Sequence, residues 1–292
     1  MSGAAWALVA ALGFGFGQVL NRKANQIIDA YRTAFGLLSG VVIVLAARAL
    51  VTGDAARLAE APVTALAAFA AATFIHFVGG WTLLALSQQT IGVARTGALI
   101  GAAPVVATIL AWAFLDERVR AATFVGVLAA ASGVALISLS GGGHEGERRW
   151  ARPWYALAVA ILWGTSPLLI RSGLAGFPHP VLGLTVGLAV SVTLYATGLA
   201  LAGAFRRRPV MPARAVLWLA AGGVVGAVAI SAQWISYDLT TIAVAITIQQ
   251  LTTLVVIALV PLFFHEPFER MNPVFLAGTA AMLGGTALVV LS

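Results

Sequence analysis

Cysteine is absent from the 292 residues. That excludes disulfides, thiolate metal sites and cysteine nucleophiles. Charge is scarce too. Asp, Glu, Lys and Arg together make up 9% of the chain, where a soluble domain carries about 25%. With 61% hydrophobic residues, too little polar surface remains to face water on every side. Acidic residues are the rarer sign, 10 against 17 basic, and no Asp, Glu or Lys falls well inside an apolar run. The chain also lacks clustered His, Asp and Glu with metal-ligand spacing, and any nucleophile beside a base. The "GFGFG" at Gly13 to Gly17 has no strand-loop-helix context for a phosphate loop. No metal, no cofactor and no enzyme chemistry are therefore expected.

What is present is a series of apolar stretches, each near the roughly 20 residues that cross a bilayer. The expected fold is all-α: a polytopic membrane protein with ten transmembrane helices. The spans read as 3–20, 31–51, 62–86, 93–115, 121–139, 154–170, 180–203, 213–236, 241–264 and 273–291. The first lacks a basic leader and a cleavage site, so it reads as a retained helix. The net charge of +7 comes from arginines in short loops between apolar runs. A membrane surface explains them and no nucleic-acid partner is expected.

The longest polar break, "SGGGHEGERRWARP" from Ser140, reads as a linker over 141–153. It separates 1–140 from 154–292, and the two halves match. "LVAALGFGFGQVLNR" from Leu8 lies over "LAVAILWGTSPLLIR" from Leu157 at an offset of 149, with Gly15 on Gly164 and Arg22 on Arg171. The offset persists to Glu117 of "LDER" over Glu266 of "FHEP". After three inserted residues, "GVLAAASGVALISLS" from Gly126 lies over "GTAAMLGGTALVVLS" from Gly278. Five spans per half is an odd number, so the second half enters the membrane from the opposite face. Two inverted five-helix repeats are a transporter plan with the substrate near the midplane.

Five plus five helices, a Trp163-Gly164 early in the first helix of a repeat, and acidic "LDE" and "HEP" closing each fourth helix resemble the EamA-type transporters of the drug/metabolite transporter superfamily. The resemblance covers nearly the whole chain. It departs where Phe14-Gly15 replaces Trp-Gly in the first repeat. It implies secondary transport of small metabolites, often export, by alternating access across the inner (plasma) membrane. The small multidrug transporters of that superfamily use a carboxylate in the first helix. Here the early helices offer Gln18 and His76 instead, so proton-for-cation exchange on a buried carboxylate is not expected.

Candidate lining residues sit on polar or interrupted helix faces. "LWGTSPLLIR" puts Trp163 and Ser166 beside Pro167, where a kink is expected; the first helix has its own interruption over Gly13 to Gln18. Thr73, His76, Gly80 and Ser87 form a polar, small stripe on the third span. An ionisable residue at membrane depth faces a cavity or a partner helix. The eighth span offers Gln233 and Tyr237 on one face with Trp234 adjoining, although Tyr and Trp also serve as interfacial anchors. The ninth carries Thr247, Gln249, Gln250, Thr252 and Thr253. Buried glutamines need partners, and Gln250 with Thr247 is the expected inward face. Gly97, Gly101, Pro104 and Thr108 give the fourth span a smooth face for close packing or a gate. Arg95 at its start either holds an anion or snorkels to the interface. Glu117 and Glu266 read as structural carboxylates at the start of the following helix.

This lining mixes aromatic rings with uncharged hydrogen-bonders. It predicts a small amphipathic, neutral or zwitterionic metabolite, such as an amino acid or a related compound, carried by a monomer. A lipid or lipid-linked substrate flippase is the alternative. Orientation is divided: the loops opposite the termini hold twelve of the 17 basic residues, which puts the termini outside, whereas the family resemblance puts them in the cytoplasm.

Overall fold

The computed structural model describes residues 1–91, 93–140, 152–203, 211–264 and 272–292. Most of the 141–153 linker lies outside these, as do Glu266, Arg148, Arg149, Arg206, Arg207, Arg208 and Arg270. Among the described residues ten helices are long and apolar enough to cross a membrane. They are α1 (Gly3–Asn25), α2 (Ala30–Val51), α3 (Val63–Ile91), α4 (Val93–Ile100 with Ala103–Phe114) and α5 (Ala121–Ser140). The second half repeats the series with α6 (Trp154–Gly176), α7 (Pro180–Leu201), α8 (Ala213–Leu239), α9 (Ile242–Gln249 with Thr252–Phe264) and α10 (Pro273–Leu291).

Helix starts follow local capping chemistry. Ser2, Asp29 and Asn272 accept from the backbone N–H three residues on, at 3.3, 3.0 and 2.8 Å, so each satisfies an orphan donor. Helix ends run past the apolar stretches: α1 reaches Asn25 rather than residue 20, α3 Ile91 rather than 86, and α6 Gly176 rather than 170. Polar residues continue a helix into the interface because the backbone ladder still closes there.

The two halves interlock in symmetry-related pairs. Helix α1 packs on α8 and α9, and α6 packs on α3 and α4; α2 meets α8 as α7 meets α3. Each pairing becomes another when residues are shifted by 149. The correspondence extends to atoms. A Cβ on Gly15 would strike Val255, and one on Gly164 would strike Val106; 106 and 255 differ by the same offset. Helices α5 and α10 cross on glycine from both sides. Gly133 lies against the backbone of Gly278, and Gly126 against that of Gly285. Small residues let membrane helices approach to backbone contact, where packing rather than the hydrophobic effect holds them.

Two expected interruptions change. The "GFGFG" segment is continuous helix: Gly13 meets Ala229 of α8 and Gly15 meets Val255 of α9, so these glycines serve close packing. Helix α6 also runs unbroken through Pro167. The real breaks are in α4, at Gly101-Ala102, and in α9, at Gln250-Leu251. These are again 149 residues apart.

Candidate functional site

Helix α3 contains a π-helical turn over Phe74–Gly80. Such turns insert one residue into an α-helix and free local backbone groups, often at functional sites. His76 lies on it near the middle of the span. Its Nδ1 is 2.7 Å from Ser166 Oγ on α6, and its ring stacks on Trp163 at 5.4 Å between centroids and 16° between planes. The Trp163 indole N–H donates to the His76 carbonyl at 3.0 Å. Gly80 leaves room for that indole, since a Cβ there would strike Trp163 Nε1.

Proline explains the serine. Pro167 has no N–H for the Trp163 carbonyl, and Ser166 Oγ donates to that carbonyl at 3.3 Å. A hydroxyl has one proton. With that proton committed, Ser166 accepts from His76 Nδ1–H. A neutral ring in that Nδ1–H tautomer leaves His76 Nε2 as an acceptor.

The second part of the site is the paired break. At Gln250 and Leu251 the backbone tightens to three-residue hydrogen bonds, Gln250 N–H to Thr247 O at 3.1 Å and Leu251 N–H to Ile248 O at 3.0 Å. The Gln250 amide then donates to the Gly101 carbonyl, at the α4 break, at 3.4 Å. Positions 101 and 250 are equivalent, so this contact marks the pseudo-two-fold axis. Thr252 donates to the Ala11 carbonyl of α1 at 3.1 Å. Gly164 of α6 abuts Ala103 and Val106 beyond the α4 break. The first and fourth helices of both repeats thus meet at mid-depth, and α6 joins the break to the His76 cluster.

Helix α8 faces a separate network. Gln233 Nε2 donates to Gln249 Oε1 at 2.8 Å and to the Tyr237 hydroxyl at 3.3 Å, and Tyr237 donates to Gln249 Oε1 at 3.4 Å. Ser236 completes it at 3.5 Å from Gln249 Nε2. All four side chains are buried. Removing one glutamine leaves its partner's polar group unpaired in an apolar interior. Gln233→Leu or Gln249→Leu alone should each cost about 1–2 kcal/mol. The double variant should cost less than their sum; chemical unfolding in detergent measures the cycle, and strict additivity would refute the coupling.

These placements divide among several contacts the residues expected from sequence to share one lining. His76, Ser166 and Trp163 come together, and Gln250 sits at the neighbouring break. Gln233 and Tyr237 instead turn into the α8–α9 interface. Trp234 is 1% exposed and tilts on Phe69 at 5.4 Å, so it packs between α8 and α3. Thr247 is fully buried and donates to Ala243 of its own helix at 2.6 Å; the break after it turns Gln250 off its face. Gln18 is exposed on α1, and Arg95 is half-buried in the first turns of α4. The α3 stripe divides among three helices, with Thr73 on Ser191 of α7, His76 on α6 and Ser87 on Thr96 of α4. The added residue of the π turn rotates one end of α3 against the other.

Glu117 is structural in kind but serves a different helix. Both its oxygens accept from Ile242 N–H at 3.1 Å, at the start of α9 rather than α5. Burial raises its carboxyl above the ordinary value, against the lowering pulls of Ile242 N–H and Arg171. Sequence reading also gave Arg171 no role beyond its repeat position. The offset with Arg22 was the available signal.

A sequence model of the EamA-like transporter family matches residues 1–139. No curated protein matches the chain. One solved crystal structure of a protein superposes with a TM-score of 0.80 over 99% of this chain and 96% of its own, at 14% sequence identity. That likeness shows the fold.

Proposed function

We propose that this chain, whose residues 1–139 match the EamA-like transporter family, is a polytopic transporter that moves a small neutral or zwitterionic amphipathic metabolite. An amino acid or a close relative fits best, exported across the inner (plasma) membrane by alternating access between the repeats. The observation that carries this reading is the mid-depth cluster of His76, Ser166 and Trp163 joined through α6 to the two broken helices. Broken membrane helices present backbone polar groups to a ligand. A stacked indole adds an apolar wall, and His76 Nε2 accepts a hydrogen bond from an ammonium or hydroxyl group. An apolar wall with a few placed polar groups is the usual make-up of a small-molecule site. The cluster itself contains no cation for a multiply charged anion.

Counterflow in proteoliposomes tests the substrate class. An amino acid or aromatic metabolite should exchange faster than any sugar phosphate or nucleotide sugar, and the reverse order would reject the reading. Gln250→Ala should slow exchange severely while the protein stays monodisperse in detergent. Unchanged exchange would remove Gln250 from the site.

A lipid substrate has one supporting feature, a groove of about 270 Å3 lined by Thr108, Ile109, Trp112, Phe124 and Arg120. Exposed Trp112 and Arg120 suit a headgroup at the interface. A lipid-flip assay faster than solute counterflow would favour this second reading.

A further inference from the structure

The ends of α4, α6 and α8 and the start of α9 meet at one corner, on the face of the bundle where α1 begins (the near face). They line a half-open cavity of about 260 Å3, with Leu115, Glu117, Arg171, Ser172, Leu174 and Asp238 around it. Only two residues, Thr240 and Thr241, connect α8 to α9. Both helix ends here are held by charge of the favourable sign. The Arg171 guanidinium donates to the carbonyls of Tyr237 and Thr240, the latter at 2.9 Å, at the carboxyl end of α8. The Glu117 carboxylate receives the first N–H of α9. Each side chain therefore grips one side of the same two-residue turn, and they attract one another.

The backbone is bent to deliver Glu117. Asp116 adopts φ of 53°, a left-handed conformation that non-glycine residues enter at a cost and that clusters at functional positions. It redirects the chain leaving α4 toward Ile242. Glu117 belongs to the first repeat, and Ile242 and Arg171 to the second. The tie crosses the line along which the repeats would part on this face. It is polar and half-buried, so water can replace its bonds when the face opens. The α1 start joins the same corner, with Gly3 against Thr240. On the opposite face the offset puts Arg22 in the place of Arg171, where its guanidinium lies 4.3 Å over the Phe264 ring at the end of α9.

We infer that Glu117 and Arg171 are positioning residues of the transport cycle: a latch that holds the near face closed by clamping the α8–α9 turn of the second repeat to the end of α4 in the first. The inference rests on the alternating-access reading. Breaking the latch shifts the population toward near-face-open states without removing any side chain from the His76 cluster.

The cysteine-free sequence permits a direct test in the 292-residue chain. Leu174 lines the cavity and is 4% exposed. In proteoliposomes, Leu174→Cys should react slowly with a membrane-impermeant maleimide applied to the near face. Adding Glu117→Gln or Arg171→Gln should raise that rate about tenfold or more, and combining both should add little beyond either. Glu117→Asp and Arg171→Lys, which keep the charges but shorten the reach or lose the forked donor, should raise it by less than tenfold; elution profile and Tm confirm that each variant is folded. Unchanged labelling in both folded glutamine variants would overturn the latch. A second reporter, Leu20→Cys near the far face, separates the two ideas. Its labelling should fall as that of Leu174→Cys rises. A rise at Leu174→Cys with no fall at Leu20→Cys would keep the latch and reject alternating access. Should the glutamine variants fail to fold, labelling in the Asp and Lys variants above the parent but below tenfold still supports the latch, and parent-level labelling there overturns it.

Discussion

A Gly133→Val chain should yield no monodisperse protein. The Gly278 carbonyl oxygen and the Met282 nitrogen each lie 2.5 Å from where a Cβ on Gly133 would stand. Both are backbone atoms of α10, so no side chain can swing aside. The helices would have to move apart along a contact that continues to Gly126 and Gly285. Overpacking a core typically costs about 1–3 kcal/mol where side chains can adjust, and here they cannot. The loss should exceed that range and reach the total stability of the fold, commonly about 5–15 kcal/mol. Gly284→Val is the matched control, because nothing lies within 4 Å of a Cβ there. Size-exclusion profiles of the two variants decide the matter. A monodisperse Gly133→Val peak with a parental Tm would show that the α5–α10 approach is not what holds these helices.

Trp163→Ala should reduce counterflow about a hundredfold and lower stability as well. The indole stacks on His76, donates to the His76 carbonyl and fills the space that Gly80 leaves open. Deleting a buried Trp side chain costs about 3–5 kcal/mol in a soluble core; Trp163 is only half-buried, so the lower end applies. Trp163→Phe separates the two contributions. It keeps an aromatic face but leaves the His76 carbonyl, freed by the π turn, without its donor. One lost hydrogen bond of about 1.4 kcal/mol corresponds to a tenfold change, so Trp163→Phe should transport about tenfold slower with a small loss of Tm. Trp163→Ala transporting at more than half the parental rate would remove this cluster from the pathway.

Span number was legible because it depends on bulk quantities, and the 149-residue offset because the chain repeats itself. A bilayer demands about 20 apolar residues per crossing, and that demand prints itself on the chain at every span. Gene-level repetition prints the offset, and the packing of Gly15 on Val255 and Gly164 on Val106 repeats it. His76 and Trp163 stood out singly, as an ionisable group and an aromatic at membrane depth. Their meeting did not. It depends on a π turn in α3 that no residue type announces, since Phe74 to Gly80 read as ordinary apolar helix.

The sequence by itself determined a membrane chain of ten apolar spans and a 149-residue repeat, without thiols and with no carboxylate well inside a span. Tertiary structure alone decided which polar groups pair. Gln249 and Gln250 are adjacent in sequence, yet one closes a buried network with Gln233 and the other crosses the axis to Gly101. It also decided that Glu117 caps α9 rather than α5. The reason is the apolar solvent. With no water inside the bilayer, each polar group must find its partner on a neighbouring helix, and which helix is neighbour is set by backbone contacts among glycines whose partners lie more than a hundred residues away.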